Sequence, residues 1–111
     1  MLPSKNRLTE FFRSQNFVSG SELRIFFRNN GLESSRFGIS IQSGVLKKAV
    51  ARNRCKRLIR EWLRISLPHI KTGIDFWILV ASVREEDLSS SDFFNKTLST
   101  IFKRGHLFVS D

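Results

Sequence analysis

"KKAVARNRCKRLIREWLR", Lys47–Arg64, packs eight basic residues and one acid into eighteen positions. It also spaces its apolar residues as a helix would. With Arg52 at zero and about 100° per residue, Cys55, Leu58, Ile59, Trp62 and Ile65 fall on an arc from about 220° to 340°. Arg52, Lys56, Arg60, Arg64 and Arg57 run from zero to about 140°, with Asn53 among them and Arg54 near ~200°. Leu63, near ~20°, is the one apolar residue in the basic arc. The pattern predicts a helix with one stripe packed on a sheet and the opposite face cationic.

Solvation alone explains most charged helix faces, but such faces usually mix signs. Here Arg52, Lys56, Arg60 and Arg64 share a sign at i, i+4 spacing, where like charges repel. A row of phosphates would cancel that repulsion. Arginine outnumbers lysine five to one between Arg52 and Arg64. A guanidinium can grip a phosphate through two hydrogen bonds and stack on a base; an ammonium cannot. Asn53 suits base edges or sugars, or equally an N-terminal cap. Arg54 and Arg60 are both expected to face solvent.

Outward from this helix, the chain has 111 residues and a formal net charge of +9, of which Lys47–Arg64 supplies +7. The excess is local and points to an extended polyanion. Residues 1–111 are read as a single domain, with 41% hydrophobic residues, eleven Phe and two Trp to fill its core. One cysteine, Cys55, rules out an internal disulfide and suits a reducing compartment. No apolar run has the length of a membrane span, and the N-terminus lacks a secretory signal, so a cytoplasmic location is expected.

"RLTEFFRSQNF" predicts a short first helix through Leu8, Phe11 and Phe12. "ELRIFFRN" alternates: Leu23, Ile25 and Phe27 one way, Arg24, Phe26 and Arg28 the other. "RFGISIQ" alternates too, and Asn30-Gly31 between the runs predicts an antiparallel hairpin. "IDFWILVAS" reads as a central strand covered on both faces. "SSSDFFNKTLSTIFKRG" reads as a capped final helix ending at Gly105. The order is α-β-β-α-β-α, with room for an extra early strand: an α+β two-layer sandwich with helices on a central sheet.

The Arg24-Phe26-Arg28 face is a second candidate contact. An aromatic between two cations suits single-stranded nucleic acid, with Phe stacking on a base. Cover by a helix explains Phe26 equally well. His69 and His106 have no ligand neighbours in sequence, and no glycine-rich phosphate loop is present. Asp75, Glu85, Glu86, Asp87 and Asp92 offer oxygens that could hold a metal, but surface solvation and helix-start electrostatics explain them more cheaply, so the metal site stays unknown at this point. No catalytic constellation emerges. A ribonucleoprotein subunit, a generic RNA- or DNA-binding module and a major-groove duplex reader all share this charge pattern.

The segment "ARNRCKRLIREWLR", Ala51–Arg64, resembles the Arg-Asn-Arg signature helix of the bacterial ribonuclease P protein family. "RFGISI", "LKKAVARNR", "DFWILVA", "FFNKTLSTIFKR" and "RLTEFF" are similar to the family's flanking segments, so the likeness spans nearly the whole chain. The resemblance implies an α-β-β-β-α-β-α-like order and a left-handed β-α-β crossover through the basic helix. It implies a protein that joins a catalytic RNA and binds the 5′ leader of precursor tRNA. The complex, an endoribonuclease only as a holoenzyme, would cut the leader, with catalysis and Mg²⁺ held mainly by RNA and no small-molecule substrate. Lys47, Lys48, Arg52, Asn53, Arg54, Lys56, Arg57, Arg60 and Arg64 would meet the catalytic RNA. Phe12, Phe17, Arg24, Phe26 and Arg28 would line the leader cleft, Phe12 and Phe17 from its first-helix wall. One departure stands out: Gln42-Ser43-Gly44 follows the "GISI" strand where family members often carry adjacent lysines.

Overall fold

A computed structural model describes residues 16–109. The expected first helix, with Phe12, lies outside the described residues. Strands β1 (Phe17–Ser19), β2 (Leu23–Asn29), β3 (Arg36–Ile41) and β4 (Ile74–Val80) form a four-stranded sheet in the order β1-β2-β4-β3. Helix α1 (Ala49–Ser66) links β3 to β4, and α2 (Asp92–Arg104) follows β4. The extra early strand is present as β1.

The Asn30-Gly31 hairpin is not formed. β4 lies between the two strands, antiparallel to β2 and parallel to β3. The reason is burial. β4 carries Phe76, Ile78 and Val80, all fully buried, and the central position gives it partners on both edges. Residues 30–35 must then span two strand spacings, roughly 10 Å, which a two-residue turn cannot do. Gly31 still turns the chain with φ of 71°. The Asn30 amide steadies the loop, donating to the Ser34 carbonyl at 3.1 Å and to Asp75 Oδ1 at 2.9 Å.

Both helices press on one sheet face. Register places Leu23 with Val80, Ile25 with Ile78 and Phe27 with Phe76 on that face. Cys55, Ile59 and Trp62 of α1 and Phe94, Leu98, Ile101 and Phe102 of α2 complete the core. Trp62 and Phe102 meet at 4.9 Å between ring centroids, and Phe76 and Phe102 at 5.5 Å. α1 ends where expected: a 3-10 turn, Leu67–His69, carries Pro68 in its first turn.

The buried stripe of α1 differs in phase from expectation. Leu63 is buried at 6% exposure, whereas Ile65 is 62% exposed. Ala51 is buried as well. Burial of Ala51, Cys55, Ile59 and Leu63 rotates the stripe by about 40° toward Arg52. Leu63 then packs toward Phe37 and Ile39 of β3, beneath the cationic flank.

Candidate nucleic-acid interface

The helix begins at Ala49 with Lys48 as its N-cap residue, so Asn53 sits in the second turn, exposed, and caps nothing. Arg57 and Arg60 are exposed, and Lys56 is half-buried beside them. Among the described residues no carboxylate lies within ion-pairing distance of Lys56, Arg57 or Arg60. Arg64 differs: it pairs with Glu61 one turn back at 2.5 Å, and its hydrogen bonds hold the Glu61 carboxyl below the usual range. Lys47 and Lys48 are exposed before the helix, with Lys48 Nζ 4.0 Å from Glu85.

Two arginines of the row work inward. Arg52 Nη1 donates to the Leu46 and Lys47 carbonyls, at 3.0 and 2.7 Å, and closes the loop before the helix. Arg54, expected to face solvent, donates from Nε to the Leu88 carbonyl at 2.5 Å. The cause is the 3-10 turn Glu85–Leu88, which buries Leu88 and brings its carbonyl within reach of the helix flank. Cys55 lies in the core, and burial pushes its thiol up to about 11 against the opposing pull of Lys56, so it is a packed thiol at neutral pH and no nucleophile.

The sheet face opposite the core gathers the second set. Register aligns Phe17 with Phe26, Phe26 with Trp77, and Trp77 with Gly38, one row across four strands. The Phe17 and Phe26 rings lie 5.8 Å apart, and Phe17 is half-exposed. Phe17 therefore reaches this face from strand β1, not from a helix wall. Trp77 is half-buried and donates from Nε1 to Ser40 Oγ at 2.8 Å. A Cβ on Gly38 would stand 2.2 Å from the Trp77 ring, so only glycine lets the indole lie flat there. Arg24 is exposed in the next row, opposite Leu79.

Sequence reasoning missed Trp77 and misjudged Asp75. Period-two alternation puts Asp75, Trp77 and Leu79 on one face of β4, but only the pairing with β2 shows that Phe26 shares it. Asp75, expected as a solvated acid, has no exposure. Arg36 binds it through Nε and Nη2 at 2.8 and 2.7 Å, Asn30 donates at 2.9 Å, and Arg28 Nε stands 3.9 Å away. Burial alone would raise this carboxyl. Hydrogen bonds from Arg36 and Asn30 and the charges of Arg36 and Arg28 outweigh it and hold the group below the usual range. Arg28, assigned to the cleft, therefore leans partly toward Asp75.

Among the described residues no group of three or more His, Cys, Asp or Glu side chains is placed to hold a metal ion. Among them, too, no helix is long and apolar enough to cross a membrane.

A family model described as Ribonuclease P matches residues 1–105. The chain is 36% identical over 110 residues to the ribonuclease P protein component of Fusobacterium nucleatum, covering 96% of each chain. It is 40% identical over 81 residues to that of Buchnera aphidicola, covering 73% of this chain and 70% of the relative. Among solved structures it is similar to the RNase P protein from Thermotoga maritima, with a TM-score of 0.82, 25% identity and coverage of 94% and 98%. The Staphylococcus aureus RNase P protein, at 20% identity and a TM-score of 0.83 over 96% and 95% of the chains, matches in fold.

Proposed function

The chain belongs to the ribonuclease P protein family, and from that premise we propose that it is the protein subunit of a ribonucleoprotein endonuclease that removes the 5′ leader from precursor tRNA. In this reading the exposed face of α1 neutralises phosphates of the catalytic RNA, and the Phe17-Phe26-Trp77 row with Arg24 stacks the single-stranded leader. The RNA carries the catalysis and holds the Mg²⁺ ions. The complex works in the cytoplasm.

One observation carries the reading: Lys56, Arg57 and Arg60 stand together on α1 with no described acid to answer them, on the flank beside the stripe that anchors the helix. Such a face is stable next to a polyanion and self-repelling without one.

The test is reconstitution with the catalytic RNA encoded by the same organism. Leader removal at low Mg²⁺ should rise on adding the protein, and precursor tRNA should be preferred over mature tRNA. No gain in cleavage would sink the assignment. Indifference to the leader would leave a generic RNA-binding subunit. Affinity for the RNA should fall with salt at a log–log slope of roughly −4 to −6 if about six phosphates are engaged.

A further inference from the structure

A groove of about 440 Å³ runs between the edge of β3, from Ser35 to Ile39, and the flank of α1. Its size falls within the range of ~300–1,000 Å³ typical of small-ligand sites. We propose that it seats one unpaired nucleotide of an RNA partner: the base on the apolar floor, the phosphate among Lys56, Arg60 and Arg64. The inference rests on the reading of the chain as an RNA-binding subunit and assigns that surface a particular pocket.

Three features converge there. The first is the sheet edge. β3 is the last strand of the sheet, paired on one side with β4. Gln42 donates its backbone N–H to the Val80 carbonyl at 2.9 Å. Backbone groups on a strand change side at every residue, so Gly38 and Ser40 also face β4, and Phe37, Ile39 and Ile41 turn N–H and C=O outward. A donor and an acceptor close together can read the edge of a base.

The second feature is the floor. Phe37, Ile39, Leu63 and Leu67 line the groove, and Leu67 is 49% exposed. A flat apolar surface of this kind takes the face of a base and gains nothing from a phosphate. The third is the rim. Lys56, Arg60 and Arg64 recur at i, i+4 spacing along the groove and continue into the exposed face that carries Asn53 and Arg57. An acidic peptide added as a fifth strand would also use the edge. Continuity with the arginine-rich face, where guanidinium groups suit phosphate and base alike, favours RNA.

The experiment is a titration of isotope-labelled protein, followed through the backbone amides. The probes are a hexa-adenylate oligonucleotide, an abasic ribose-phosphate hexamer and a hexaglutamate peptide. Hexa-adenylate should move the Phe37 and Ile39 amides and bind about tenfold tighter than the abasic chain. Leu67→Glu should lower its affinity about tenfold by spoiling floor and charge together. Leu32→Glu, at a leucine of similar exposure outside the groove, should leave affinity unchanged. Matching melting temperatures establish that both variants fold. Equal binding of the abasic chain overturns the proposal. So does hexa-adenylate binding that moves only the Phe26 and Trp77 amides, or a stronger shift of the β3 amides by hexaglutamate. If the parent protein supports leader removal and Leu67→Glu joins the catalytic RNA as tightly, the groove assignment fails while the subunit reading stands. If no leader removal occurs, the subunit reading fails, and the titration still decides the groove.

Discussion

Two groups of arginines in this molecule share chemistry and differ in company. Arg36 and Arg28 close on Asp75, a carboxylate with no exposure, at the end of the sheet where β2, β3 and β4 lie side by side. Arg57 and Arg60, with Lys56, stand on α1 with no described acid in reach. The first group is satisfied within the fold; the second has no described counter-charge there. The type of residue does not tell them apart. The counter-charge does.

Removing the counter-charge is the most severe way to break the comparison. Asp75→Ala leaves Arg36 without its partner and should cost about 3–5 kcal/mol of unfolding free energy, measured by denaturant titration. A loss below ~1 kcal/mol would put Asp75 in the class of weak surface ion pairs. Acid should act in the same direction. A carboxyl held below its ordinary value takes up its proton less readily when folded than when unfolded. Its stabilisation is therefore complete above about pH 4, the ordinary aspartate value, and fades as pH falls through the lower folded-state value. Asp75→Asn should flatten that acid limb.

Trp62→Ala tests the anchor under the cationic face and should cost about 3–5 kcal/mol, since the ring is buried against Phe102 and Phe108. An unchanged unfolding curve would mean α1 is docked by another face. Arg54 sits between the two groups. Arg54→Ala abandons the Leu88 carbonyl and should cost about 1–2 kcal/mol, while RNA binding weakens as well. Arg60→Ala gives the smallest change in stability, within about 0.5 kcal/mol. It should lower RNA affinity and make the salt slope shallower by about one. Comparable stability losses at Arg54 and Arg60 would erase the distinction.

The helices were legible because their signals are local. Cys55, Ile59 and Trp62 recur at helical spacing, Pro68 stops α1 and Gly105 stops α2, and none of this needs knowledge of distant chain. Alternation likewise revealed β2, β3 and the apolar β4. Which strands are neighbours is not local information. Asn30-Gly31 is a turn under either topology, and nothing between Leu23 and Ile41 announces that residues 74–80 will come between. The errors in the site share that origin. Trp77 joins Phe26 through cross-strand register, Asp75 is buried by residues on two other strands, and Arg54 is drawn inward by a carbonyl thirty-four positions on. The phase of α1 was read from an apolar arc that took in Ile65 and left Leu63 out, whereas contact with β3 decides which apolar residues are covered.

The insertion of β4 between β2 and β3 has a consequence during synthesis. The ribosome releases the chain from its N-terminus, so the strand that pairs both neighbours is among the last parts of the sheet to emerge. Until it does, β3 has no strand to lie against and the basic segment no finished platform to dock on. The nascent protein thus presents its cations before its architecture is complete, in a cell crowded with nucleic acid. Translation order and strand order disagree, and long-range pairing of this kind folds slowly. The interval before β4 arrives is when an RNA could meet this protein first.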